Sequence, residues 1–375
     1  MPHTFELTLW HKQQATLLYH YASLEYLKPL HGMVSAVIKG IDITLQLASD
    51  EGRDRFLVNE RWGARDTSAN WSTYAFPALL DLQKSVAEDI SHRAFEVYNS
   101  TEVYDCWRGM GERSMSWATL DEEEQFEKQM TALSRYADPI DITMSRPPTW
   151  TADSLYNEWQ ERKAQFSKIP LFRARPDVIG ETGKTPPRTG VYAPLGEPYG
   201  ALQFAWCGNK WGQLDDARVF NEFGNKAFQA FGWPAMLRDS QALADFVNEK
   251  SNRQYFDEYE GSDLPATAES SSGFLNARTA FTKSACKWIC IEMLPDAYED
   301  LPPEETIASA DHGRLRGLRN EIVPKTGWWH SLARPNGQAL HYFEAGQRFP
   351  DWQFTKTGEV IWDFDPNQQQ PPPKK

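Results

Sequence analysis

Cysteine is scarce in this 375-residue chain, with four in all. That is too few for the disulfide framework of a small secreted scaffold. No apolar run reaches the roughly 18 residues that a spanning helix needs. The opening Met1-Pro2-His3-Thr4-Phe5-Glu6 lacks the basic-then-apolar order of a secretory signal. The expectation is a cytoplasmic protein with no membrane partner. Positive charge is also short: 39 Lys and Arg against 52 Asp and Glu give a formal charge of −13. A direct grip on nucleic-acid phosphates needs a clustered positive field, so nucleic acid is not expected as a partner.

Local catalytic signatures are missing. There is no Gly-x-Ser-x-Gly, no His-Glu-x-x-His and no Gly-x-Gly-x-x-Gly. Gly180-Glu181-Thr182-Gly183-Lys184-Thr185 imitates a phosphate loop. However, Val178 stands where the first glycine belongs, and Pro186-Pro187 block the helix that should follow. Cys286 and Cys290 are spaced to share a helix face, but no Cys-x-x-Cys or His-x-x-x-His pair joins them, so buried structural thiols are expected. His330 and His341 could approach across C-terminal strands, or simply occupy paired strand positions. Two acids distant in sequence leave no local mark, so a glycosidase-like carboxylate pair stays open. No cofactor, metal or catalytic residue is implied.

At 41% hydrophobic and 24% charged residues, the composition is that of a globular protein, and the length suits one large or two modest domains. The spacing predicts an α+β fold, with an N-terminal helical bundle followed by a mixed domain with a mainly antiparallel sheet. Apolar residues at helical spacing run from Leu9 to Leu47, where Pro29 and Gly32 are expected to divide two helices. Ala78–Tyr104 reads as one long helix. Asp121-Glu122-Glu123-Glu124 opens another, closed by Asp138-Pro139. Thr151 or Asp153 caps a fourth. The bundle is assigned to 1–170. Residues 171–198, rich in Pro and Gly, read as a linker or extended lead-in, 199–366 as the mixed domain and 367–375 as a disordered tail. Within the mixed domain, 201–207 reads as a strand, 215–231 and 240–256 as helices, and 288–294 as a strand or a helix end. Strands are expected at 327–333, 339–343 and 359–364.

An internal echo is visible. Pro187-Arg188-Thr189-Gly190-Val191-Tyr192 resembles Pro324-Lys325-Thr326-Gly327-Trp328-Trp329. Each is followed by an apolar stretch and a glycine, at Ala201–Gly208 and Ala339–Gly346. Two copies of a hairpin within one sheet would explain it, as would chance. The 15 Trp, 14 Tyr and 20 Phe suit cores first and interface anchors second.

The C-terminal series Thr326-Gly327-Trp328-Trp329, Phe343-Glu344-Ala345-Gly346-Gln347-Arg348-Phe349-Pro350 and Gly358-Glu359-Val360-Ile361-Trp362-Asp363 resembles the carboxy-terminal signature of immunity proteins from bacterial polymorphic toxin and type VI secretion systems. The resemblance is to immunity-protein families seventy-one and seventy-two. Thr189–Pro194 and Phe220-Asn221-Glu222-Phe223-Gly224 extend it over roughly the second half of the chain. It implies binding to a cognate toxin or effector and carries no catalytic residue. Acidic surface favours basic partners, such as the cleft of a nuclease toxin. Between Asp257 and Glu305 eleven acids face three bases. The toxin-binding candidates are therefore Asp257, Glu258, Glu260 and Asp263, with Asp296, Glu299, Asp300, Glu304 and Glu305. The alternatives are a hydrolase with a carboxylate- or His-based site in an aromatic-rich interdomain cleft, and a scaffold that pairs with a second copy as a homodimer.

Overall fold

The computed structural model describes residues 5–197, 200–232, 241–249, 252, 280–301, 316–318, 322–330, 340–350 and 361–364. The chain is α+β. Its helices are α1 (Leu9–Ala22), α2 (Leu24–Asp50), α3 (Ser68–Tyr74), α4 (Phe76–Arg93), α5 (Val103–Gly111), α6 (Leu120–Met144), α7 (Ala152–Arg162), α8 (Glu222–Phe231) and α9 (Gln241–Asn248). Its strands are β1 (Lys168–Glu181), β2 (Gly190–Pro194), β3 (Gln203–Ala205), β4 (Ala217–Phe220), β5 (Phe281–Ser284), β6 (Lys287–Asp300), β7 (Arg316–Leu318), β8 (Gly327–His330), β9 (Leu340–Phe343) and β10 (Ile361–Phe364). Among the described residues no helix is long and apolar enough to cross a membrane. Chain contacts divide the molecule into two units: Met1–Arg218 with Lys283–Glu299, and Val219–Thr282 with Asp300–Lys375.

The first unit is built on apolar stripes at helical spacing. Leu27, Leu30, Val34, Val37 and Ile41 of α2 are buried, as are Leu79, Leu82 and Val86 of α4 and Met130, Leu133, Ala137 and Ile140 of α6. α2 packs against both α4 and α6. Each leucine taken out of water here contributes about 2 kcal/mol. Side chains mark the helix starts. Thr119 and Glu122 form a capping box on α6, and Thr151 forms one with Ser154 on α7.

Several expectations are corrected. The first two helices part at Ser23, and Pro29 lies inside α2. The Ser23 hydroxyl donates to the His20 carbonyl (2.7 Å) and accepts the Tyr26 amide (3.1 Å), so one side chain ends α1 and starts α2. Pro139 likewise lies buried within α6. The stretch 78–104 is two helices, because the chain turns at Glu96 (φ 57°) and sends Asn99 back to the Asp89 carboxylate at 3.0 Å. The segment 171–198, expected as a linker or extended lead-in, carries most of β1 and all of β2, so it is extended but is part of a sheet. Pro170 and Pro176 fit β1 because it is an edge strand, where a missing amide donor is tolerated. Residues 215–231 divide into β4 and α8, and 288–294 belongs to the longer β6.

Among the described residues, β4 pairs with β5, and two four-stranded sheets follow the orders β1-β6-β2-β3 and β7-β10-β8-β9. In each, the fourth strand in chain order lies between the first and the second. The echo in the sequence is this shared unit, held in two sheets rather than one. The hairpins have equivalent registers: Gly190 opposes Ala205 and Tyr192 opposes Gln203, while Gly327 opposes Phe343 and Trp329 opposes His341. The Tyr192 hydroxyl donates to the Arg188 carbonyl (2.6 Å), and the Trp329 indole donates to the Lys325 carbonyl (3.1 Å). Thr189 accepts the Cys207 amide (3.1 Å), and Thr326 accepts the Ala345 amide (2.8 Å). Gly208 and Gly346 close these turns with φ of 98° and 90°, which favour glycine. Trp288 and Trp362 fill the inner faces of the fourth strands and are fully buried.

Candidate docking cleft

Two helix faces and a short connection enclose the cleft, which lies within the first unit. On α5, Trp107, Met110 and Gly111 recur at three- and four-residue steps. On α6, Glu123, Phe126, Glu127 and Met130 do the same. Trp71 of α3 and Arg113, Ser114 and Met115 of the α5–α6 connection complete a cavity of about 250 Å³. Met110, Met115, Met130 and Trp71 are buried. The Trp71 ring lies 5.5 Å from Trp117 and 6.0 Å, edge-on, from Phe126. Gly111, Arg113 and Ser114 also line an adjoining polar depression of about 370 Å³, with Trp62, Arg65, Asp66 and Glu112.

Large rings stand exposed on α3 and the connection before it: Phe56 at 82%, Trp62 at 55% and Tyr74 at 61%. Each has an arginine over its face, at 5.8 Å for Arg55 on Phe56, 4.8 Å for Arg61 on Trp62 and 5.3 Å for Arg113 on Tyr74. The connection carrying Phe56 and Trp62 is pinned. Arg53 donates to Glu122 of α6 at 2.6 Å. The Asp54 carboxylate accepts the Ser68 amide (2.6 Å), the Ser68 hydroxyl (2.8 Å) and the Ala69 amide (3.1 Å) at the start of α3. Asn59 accepts the Trp62 amide at 2.7 Å within a turn closed by reciprocal Asn59–Gly63 bonds. A connection held this way loses less freedom when a partner covers it.

Asp257, Glu258, Glu260, Asp263, Glu304 and Glu305 fall outside the described residues. Asp296 is exposed on β6 with φ 53°, Asp300 is exposed at its end, and Glu299 is ion-paired with Lys12 of α1 at 2.7 Å. The Lys12 contact compensates the Glu299 charge.

Other candidate chemistry resolves into structure. Gly180 lies within β1, which ends at Glu181, and no helix follows Lys184, whose ammonium pairs with Glu181 at 2.5 Å. Cys290 is buried and Cys286 half-buried, both on or beside β6 rather than on a helix; burial pushes the Cys286 thiol up to about 11 and the Cys290 thiol upward too. His341 pairs with Trp329 and His330 with Leu340, so the two histidines are not cross-strand partners. Burial, then the Arg162 charge, lowers the pKa of His20. Burial pushes the Asp141 carboxyl up to about 7. Its two oxygens accept the Thr101 amide (2.5 Å) and hydroxyl (2.8 Å) just before α5. Among the described residues no group of three His, Cys, Asp or Glu could hold a metal ion.

The cleft residues escape sequence reading because Trp107, Met110, Phe126 and Met130 have the spacing of core. The available signal is the pair Glu123 and Glu127, charges set into that same face. Comparison with protein-family models, curated proteins and solved structures finds no match.

Proposed function

We propose that the chain is an immunity protein that binds and neutralises a cognate antibacterial toxin by direct protein–protein contact, without catalysis of its own. The observation that carries this reading is the cleft with its pinned rim of arginine-stacked rings. Trp, Tyr and Arg are the residues on which binding energy concentrates, and preorganised rings reduce the entropy lost on association. The C-terminal resemblance to immunity families supports the same reading. The charge of −13 suits a basic toxin, whose approach it would speed and whose phosphate-binding cleft it could occupy.

The test is co-expression with the product of the neighbouring gene, followed by titration of the purified pair. Tight association and loss of toxin activity are expected. Trp62→Ala and Tyr74→Ala should each weaken binding about tenfold or more, the scale of an interface anchor, with unfolding unchanged. Charge reversal of the two acidic stretches tests the electrostatic part, through its effect on affinity and salt dependence. Failure of the wild-type chain to bind or protect against that toxin would refute the proposal.

A second reading, a hydrolase, draws on Asp141 and the nearby Asp89 and Asp138, whose acids burial also raises. Turnover of a sugar or peptide substrate that vanishes in Asp141→Ala would favour it over binding.

A further inference from the structure

We infer that the Trp71–Met130 cavity receives one large apolar side chain from a basic segment of the partner, so that the partner is recognised by an anchor flanked by Lys or Arg. This rests on the proposed binding function and specifies its chemistry.

Size sets the first limit. At about 250 Å³ the cavity falls below the roughly 300–1,000 Å³ of small-molecule sites. It is well above the ~10–15 Å³ that holds a single water, enough for one indole, phenyl or isobutyl group. The wall sets the second limit. Three methionines and three aromatic residues line it, and thioethers adapt their shape to an inserted side chain.

Charge sets the third. Glu123 and Glu127 are four apart on α6, where like charges repel, and neither has an ion-pair partner among the described residues. Asp66 and Glu112 line the adjoining depression, so four acids face Arg65 and Arg113. Arg113 is also occupied over Tyr74. Asp121 and Glu124 add exposed negative charge at the start of α6, while Glu122 is neutralised by Arg53. A cation beside the anchor would relieve the Glu123–Glu127 repulsion, and an acid there would add to it.

Gly111 provides the test. It is exposed at the end of α5, and a Cβ built there meets nothing within 4 Å. Gly111→Trp should therefore plug the shared wall of the cavity without disturbing the core, and Gly109→Trp, on the same helix with open space around it but outside the cavity lining, serves as the control. Three capped peptides are titrated calorimetrically into the full chain: Gly-Arg-Lys-Trp-Lys-Arg-Gly, the same with Ala for Trp, and the same with Glu for each base. The first should bind. Burial of one large side chain predicts about a tenfold to hundredfold loss with Ala. The acidic peptide should not bind, Gly111→Trp should abolish binding, and Gly109→Trp should retain it. Glu123→Gln with Glu127→Gln should weaken binding and flatten its salt dependence.

Failure of the Trp peptide to bind, equal binding of the Ala or acidic peptide, or binding that survives Gly111→Trp would each overturn the inference. The toxin separates the two claims. Undiminished toxin affinity in both Gly111→Trp and the double glutamine variant would refute the cleft as the contact and leave the immunity function standing. Absence of toxin binding by the wild-type chain would refute the function.

Discussion

Replacing Glu292 by Gln removes the carboxylate on which three arginines converge. Arg173 reaches it at 2.5 Å, Arg175 at 3.0 Å and Arg188 at 2.6 Å, joining β1, β6 and the segment just ahead of β2. The Glu292 side chain is 13% exposed, whereas Arg173 and Arg188 are more than half exposed. The hydrogen bond from Arg173, with those from Arg188 and Arg175, holds the acid at about 2 against an ordinary 4.5. That difference corresponds to about 3 kcal/mol at ~1.36 kcal/mol per tenfold in proton affinity. Water around the exposed guanidiniums screens it to about 1–2 kcal/mol. The folded acid is the stronger one, so its contribution is complete above the ordinary 4.5 and is lost as pH falls through about 2. Urea unfolding of wild type and Glu292→Gln should differ by about 1–2 kcal/mol at pH 7, with the gap narrowing below roughly pH 4.5 and closing near pH 2. Equal stabilities at pH 7, or a gap that persists undiminished at pH 2, would show that this cluster does not secure β1 to β6 as argued.

Ser23→Ala should cost about 1 kcal/mol, read as a lowered midpoint in thermal unfolding, because it removes the α2 cap. Gly224→Ala places a Cβ 2.1 Å from the Ala280 carbonyl oxygen and should destabilise by about 1–3 kcal/mol. Gly109→Ala, within α5 with open space around it, should instead stabilise by about 0.5–1 kcal/mol in the same denaturant series. Burial raises the Asp141 acid to about 7, so its contribution is greatest at pH below ~4 and declines as pH rises through 7. Unfolding measured from pH 5 to 8 should show a shallower decline in Asp141→Asn than in wild type, and parallel curves would contradict that assignment.

The α+β class and the main apolar stripes were legible because buried helix faces impose a period on the sequence. Helix ends were less so. Proline removes one donor, and at Pro139 the buried stripe of Leu133, Ala137 and Ile140 outweighs that local cost. β1 was read only as a linker or extended lead-in for a related reason, since proline content does not separate an edge strand from a connection. The hairpin echo was visible, but its placement in two sheets depends on pairings with β6 and β10 that no local pattern encodes. The cleft was illegible for a different reason. A helix face that fills a core and one that walls a cavity have the same spacing, and only the gap left by α3, α5 and α6 separates them.

The strand order of both sheets has a consequence for synthesis and for shortened chains. In each, the strand made last slides into the middle, so neither sheet can be finished until that piece leaves the ribosome. β10 is the hydrogen-bonded neighbour that joins β7 to the rest of its sheet. A stop codon ahead of Ile361 would therefore remove an interior plank and strand β7, where trimming most proteins at the C-terminus only frays an edge.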